Sequence, residues 1–251
     1  MKYLLLAFDN YKKFLGWIQS IATLIKLVNI KIPMLSIISK LTFLHNIFSK
    51  LIISLPVFFT HNFSKYMNIK NAFYNLSLDQ ISGDCIEFGI FTGSSFKHAI
   101  RVDAKFNKKS KSIFYGLDSF EGFPDDSHPY FNQENFKSSF KRAKKIEKKF
   151  NNSRIVKGFF SDTLKNNSEI LNIKKIKFAY IDCDLYSSAI EPIKYLESRL
   201  VTGSYLMIDD FVNIDKHGRS ISQLFFNTFS DKSMVFVSSF GVSGVIYRYV
   251  G

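Results

Sequence analysis

The stretch from Phe178 to Asp210, FAYIDCDLYSSAIEPIKYLESRLVTGSYLMIDD, limits the folds open to this chain more than any other. Two apolar runs, Phe178–Ile181 and Tyr205–Ile208, each end in a pair of carboxylates, Asp182 with Asp184 and Asp209 with Asp210. Between them Ile190, Ile193, Tyr195 and Leu196 recur at helical spacing, and Gly203 is positioned to close that helix. Strand, helix and strand in this length make a βαβ unit, so the two strands should be parallel neighbours. Both acid pairs then stand at the carboxyl ends of adjacent strands, the edge where open α/β sheets place their ligands. Four acids gathered there repel one another unless a cation or a proton separates them.

The chain has 251 residues, enough for one large α/β domain with an appendage. Its net charge of +13 admits nucleic acid, an anionic membrane or an anionic substrate as partners. Lysine is also the default polar residue throughout, and no RNA-binding motif or stacking platform accompanies the charge, so no nucleic-acid partner is expected. The two cysteines, Cys85 and Cys183, fall in or beside strand patterns, which implies buried thiols in a reducing compartment.

Residues 1–60 differ from the rest, with seven Lys and a single acid, Asp9, among many Leu, Ile and Phe. No apolar window there reaches the roughly 18 residues of a spanning helix, and no signal-peptide cleavage pattern follows the start. Phe14, Trp17, Ile18, Ile21, Leu24, Ile25 and Val28 share one helical face, while Pro33 and Pro56 interrupt the region. The expectation is an amphipathic helical extension over 1–62 ahead of a catalytic domain over 63–251. The extension could lie on a membrane surface, cap the domain or serve as a homo-oligomer arm. The expected location is the cytoplasm, with contact at the inner face of the membrane as the alternative that residues 1–60 leave open.

From residue 61 to 80 a stripe of Tyr66, Ile69, Ala72, Phe73 and Leu76 predicts a helix. GDCIEFGIFTGSSFKHAI then reads as strand, tight Gly/Ser turn and helix, with Gly89 and Gly93 letting the backbone approach a ligand closely. The spacing is not that of the dinucleotide G-x-G-x-x-G turn. IFYGLD is a second strand ending in Asp118, where a Rossmann-type unit places the acid that holds ribose hydroxyls. Ser119–Tyr130 is a loop long enough to be a lid and contains His128, a candidate proton shuttle or a solvated histidine. Lys137–Phe150 predicts one basic helix with an apolar stripe of Phe140, Ala143, Ile146 and Phe150. Arg154–Phe159 is the third strand, and Asp162 after it either caps a helix or accepts from an adenine amino group. A helix near Ile221–Phe229 and a hairpin of Met234–Ser238 with Gly244–Tyr249 close the chain.

EFGIFTGSS, GLDSFEGFP, GFFSDTL, YIDCDLYSS and MIDDF, in this order and spacing, resemble the macrocin-type (TylF/MycF-like) O-methyltransferases of the class I S-adenosylmethionine (SAM) superfamily. The resemblance covers about residues 63–250. It implies a Rossmann-like, doubly wound, seven-stranded and mostly parallel sheet with its last strand antiparallel, behind the helical N-terminal extension. It implies a SAM loop of Glu87, Gly89, Gly93 and Ser94, with Asp118 and Ser119 at the ribose and Asp162 near the adenine. It matches Asp182, Asp209 and Asp210 to magnesium ligands, and it makes Asp184, or one of the ligands such as Asp182, the general base. The implied reaction is a Mg²⁺-assisted methyl transfer to a hydroxyl of a sugar, glycan or glycosylated acceptor. The rival readings are a nicotinamide-dependent oxidoreductase and a non-catalytic, membrane-associated protein with a degenerate site. Cys183 stands where the family usually has glycine, and Phe91-Thr92 and Ser94-Ser95 make the loop less glycine-rich than is common.

Overall fold

The computed structural model describes residues 41–123, 136–229 and 233–251. The helices expected around Phe14–Val28, and His128 with most of its loop, lie outside the described residues. The chain forms two compact units, Met1–Leu55 and Pro56–Gly251. In the first, helix α1 (Thr42–Ser54) has no buried residue, and Phe43, Ile47, Phe48, Leu51, Ile52 and Ile53 are all exposed. No single described helix is long and apolar enough to cross a membrane.

The second unit opens with α2 (Val57–Leu78), started by Pro56, whose fixed φ suits a helix entrance. Its stripe Ile69, Ala72, Phe73 and Leu76 is buried as the spacing predicts. The elements β1 (Asp84–Phe88), α3 (Ser94–Phe106), β2 (Phe114–Asp118), α4 (Phe140–Ala143), α5 (Lys145–Lys149) and β3 (Ser153–Lys157) follow. After them come α6 (Phe160–Asn166), α7 (Ser168–Leu171), β4 (Ile176–Ile181), α8 (Tyr186–Glu197) and β5 (Leu200–Ile208). The chain closes with α9 (Ile221–Thr228), β6 (Met234–Phe240) and β7 (Gly244–Tyr249).

The sheet has seven strands in the order β3-β2-β1-β4-β5-β7-β6. Pairings among β1 to β5 are parallel, and β7 runs antiparallel to both β5 and β6. Alternate residues serve opposite faces, as the two-residue strand period requires. Along β4, Ala179 and Ile181 join the layer with Ala189, Ile193 and Phe225, whereas Phe178 and Tyr180 join the layer with Ile69, Phe73 and Phe96. Strand order reverses between β1 and β4, which opens a crevice above their carboxyl ends.

The structure revises two local expectations. The basic segment Lys137–Phe150 is not one helix but two short ones, α4 and α5, although Ala143 and Ile146 are buried as expected. Gly203 does not close a helix: α8 ends at Glu197, and Gly203 lies inside β5 with φ +91°. Its left-handed φ favours glycine, and a Cβ there would press on the end of the Ile81 side chain at 2.7 Å. Cys85 and Cys183 are both buried free thiols.

Candidate active site

The floor of the crevice is built from the turns that leave β1, β2, β4 and β5. Gly89, φ +90°, follows β1 so closely beside β4 that a Cβ would stand 1.9 Å from the Asp182 carbonyl oxygen. Gly93, φ +72°, caps α3, and a Cβ there would strike Ile146. Between these glycines Phe91 takes a left-handed conformation, φ +47°, and Phe120, Asp184 and Asp210 share that region at φ +60°, +58° and +50°. Left-handed backbone in non-glycine residues costs on the order of 1 kcal/mol or more each, and its concentration at strand ends marks a functional edge.

A cavity of about 290 Å³ sits on this floor, and Gly89, Asp118, Ser119, Asp182 and Asp184 all line it. Its other walls are largely aromatic, with Phe91, Phe123, Phe136, Phe159 and Phe160. The Asp118 carboxylate accepts the Phe91 N–H at 2.7 Å and the Phe120 N–H at 2.6 Å, one on each oxygen. Each oxygen keeps a lone pair for a further donor, which suits a vicinal diol.

Glu87, Gly93 and Ser94 shape the turn and do not line the cavity. Glu87 is fully enclosed on the α2–α3 face and accepts the Ser95 hydroxyl at 2.6 Å. Burial pushes its carboxyl up to about 8, against the lowering effect of that hydrogen bond. Asp162 faces solvent and accepts the Asn166 amide at 2.5 Å. Here Phe159–Ser161, rather than the Asp162 side chain, form the cavity wall.

The acids of β4 and β5 converge as expected. Asp182, Asp209 and Asp210 each present a carboxylate oxygen within 4.8 Å of the others. An all-oxygen, anionic donor set of this kind fits a hard divalent cation such as Mg²⁺. Asp182 and Asp184 face the cavity, while Asp209, 3% exposed, lies behind them and accepts the Tyr180 hydroxyl at 3.1 Å. Burial, then the charges of Asp182 and Asp210, hold the Asp184 carboxyl well above the usual range. Burial likewise raises Asp182 to about 6, and the Lys65 ammonium limits that rise.

Sequence reasoning missed Lys65 and His61, both on α2. The Lys65 Nζ stands 3.2 Å from Asp182 Oδ2 and 3.0 Å from Asp209 Oδ2, and its side chain is only 12% exposed. Burial alone would lower this ammonium, but the two carboxylates outweigh it and hold it above the ordinary lysine range. His61 Nε2 lies 3.4 Å from the same Asp209 oxygen. Gly241, in the β6–β7 turn, makes room for the imidazole, since a Cβ there would be 2.0 Å from His61 Nδ1. The signal was present in the spacing. Residues 61, 65, 69, 72 and 76 form one continuous helical face, so two polar residues extend a buried stripe.

Strand order, the single antiparallel strand and the crevice at the switch point define the Rossmann-like methyltransferase fold. Solved structures agree on the fold. The calicheamicin methyltransferase CalS11 superposes with a TM-score of 0.63 at 17% identity, covering 92% of this chain and 90% of that one. The O-methyltransferase NovP superposes with a TM-score of 0.59 at 16% identity, covering 75% of this chain and 80% of that one. Residues 63–231 match the family model described as macrocin-O-methyltransferase (TylF), and the chain belongs to that family. Among curated relatives, it is 24% identical over 161 residues to the 8-demethyl-8-(2,3-dimethoxy-alpha-L-rhamnosyl)-tetracenomycin-C 4'-O-methyltransferase of Streptomyces olivaceus. It is 22% identical over 163 residues to the mycinamicin III 3''-O-methyltransferase of Micromonospora griseorubida. Both alignments cover 57% of this chain, which spans 59% and 61% of the lengths of those relatives.

Proposed function

We propose that this protein is a SAM-dependent, Mg²⁺-assisted O-methyltransferase acting on a sugar hydroxyl of a glycan, nucleotide sugar or glycosylated metabolite. The observation that carries the reading is one cavity with the Asp118 carboxylate on its floor and the Asp182–Asp184 pair on its wall. Membership of the macrocin-O-methyltransferase family supports the reaction, and the sugar acceptors in both relatives' names support the substrate class.

In this reading Gly89 lets the cofactor lie against the backbone, Asp118 and Ser119 accept its ribose hydroxyls, and the aromatic wall flanks the adenine. Glu87, Gly93 and Ser94 hold the turn in shape. Asp162 contributes through the α6 turn it belongs to. Asp182, Asp209 and Asp210 would hold Mg²⁺, which when bound supplies the positive charge that makes a sugar hydroxyl acidic enough to react. Asp182 or Asp184, the cavity-facing pair, would take the proton of the acceptor hydroxyl, and SAM when bound would supply the methyl group. The exposed apolar row of α1 supports peripheral membrane contact by residues 1–60.

The test is incubation with methyl-labelled SAM, Mg²⁺ and a panel of glycans, nucleotide sugars and glycosylated metabolites. Label should enter a sugar methoxy group, EDTA should abolish transfer, and added Mg²⁺ should restore it. Asp182→Asn should lose transfer by two or more orders of magnitude while calorimetry still shows the demethylated cofactor binding. Full turnover of metal-free protein in EDTA would remove the metal from the mechanism. Tight NADH binding with no response to SAM would favour the oxidoreductase.

A further inference from the structure

We propose that Lys65 is the resident cation of the carboxylate site and that a divalent metal binds there only by displacing it. The inference rests on reading Asp182, Asp209 and Asp210 as metal ligands, and it adds a competitor supplied by the chain itself. The Lys65 ammonium already bridges Oδ2 of Asp182 and Oδ2 of Asp209, at 3.2 and 3.0 Å. Those are the two carboxylates that β4 and β5 present to each other across adjacent parallel strands. A Mg²⁺ ion on the same oxygens would sit about 2.0–2.1 Å from them. Ammonium and metal would then be near neighbours, two cations sharing one small set of lone pairs in a poorly hydrated place. Like charges this close strongly disfavour joint occupancy.

The fold lets the exchange happen without unfolding the helix. α2 is fixed by Ile69, Phe73 and Leu76 and by Asn68, whose side-chain oxygen accepts the Ser238 hydroxyl at 2.6 Å. The Lys65 stem carries four flexible carbons, so the ammonium can leave the site by rotamer change while the backbone stays. Its present seat also holds it near the Tyr180 ring, 5.5 Å from the centroid. Lys65 thereby offsets part of the acids' charge before metal loading and sets the metal affinity of the site below that of the bare carboxylates.

The experiment uses the full chain and Mn²⁺ as the probe, with free Mn²⁺ followed by electron paramagnetic resonance. Lys65→Met and Lys65→Gln should each bind Mn²⁺ at least tenfold more tightly than wild type. Lys70→Met, on the same helix but away from the acids, should change affinity less than twofold. If the Lys65 variants lose their native circular dichroism, the wild-type chain decides through acetic anhydride labelling mapped by mass spectrometry. Lys65 should label more slowly than Lys70 without metal and become several-fold faster at saturating Mn²⁺. Equal affinity in folded variants, or labelling of Lys65 that Mn²⁺ does not alter, overturns the competition and leaves the metal reading standing. No Mn²⁺ binding by any of the proteins removes the metal reading, and the competition with it.

Discussion

Glu87 is a carboxylate placed where its strand period demands an apolar residue. Cys85 and Glu87 both point into the α2–α3 layer, and among the described residues the Ser95 hydroxyl donates to the acid there. Its folded value near 8 lies above the ordinary glutamate value of 4.5, so the native state favours the protonated form. The consequence for stability has a definite sign. Below pH 4.5 the folded and unfolded chains both hold the proton, and nothing is lost. Between about 4.5 and 8 the unfolded chain releases the proton while the folded chain retains it, so stability falls by up to about 1.4 kcal/mol per pH unit. Above about 8 the loss is complete. Glu87→Gln removes this dependence while keeping an acceptor for Ser95. Urea denaturation should show the variant gaining on wild type by a few kcal/mol between pH 5 and pH 8. A difference between the two proteins that stays constant with pH would show that burial does not govern this acid. Asp182, Asp118 and Lys65, the charged neighbours of Glu87, are present in both proteins and cancel to first order.

At the scale of the element, α2 does two jobs with one face. Its C-terminal half packs on the sheet through Phe73, 1% exposed, whose ring lies 4.8 Å from Phe178 and 6.0 Å from Phe114. Its N-terminal half carries His61 and Lys65 to the acids. Phe73→Ala should therefore cost about 3–5 kcal/mol in chemical denaturation, because the surrounding layer cannot collapse fully into the gap. Phe58→Ala on the exposed side of the same helix should cost less than about 0.5 kcal/mol. Similar losses at both positions would mean that α2 is not held by this layer.

At the scale of the whole molecule, the two hydrophobic layers that flank the sheet are built, among the described residues, from the second unit. A chain starting at Pro56 should thus keep the native circular dichroism spectrum and a cooperative unfolding transition. The apolar row of α1 and the Lys-rich composition of residues 1–60 together suit the interface of an anionic bilayer. In co-sedimentation the full chain should pellet with anionic vesicles and be released by high salt, while the chain starting at Pro56 should stay in the supernatant. Indifference of the full chain to vesicles would remove the membrane role of this extension.

Much of this fold was open to reading from sequence because its rules are local. Apolar runs ending in acids gave β4 and β5, helical spacing gave α2 and α8, and β-pattern with turn glycines gave the closing hairpin. The convergence of Asp182, Asp209 and Asp210 followed from parallel pairing alone, which puts the ends of neighbouring strands side by side. Other features depended on packing between distant segments. Gly203 looked like a helix stop, but the strand extends through it beside Ile81. Asp162 follows β3 in the chain, and the exposure of its side chain, which accepts from Asn166, was set by packing that no local pattern states. Lys65 lies 117 positions before Asp182, and no local pattern states that one helix face ends over the acids of two strands. Sequence fixes which residues share a face of an element. Only tertiary packing decides what that face meets, and at this site it supplied the positive charge that four converging acids require.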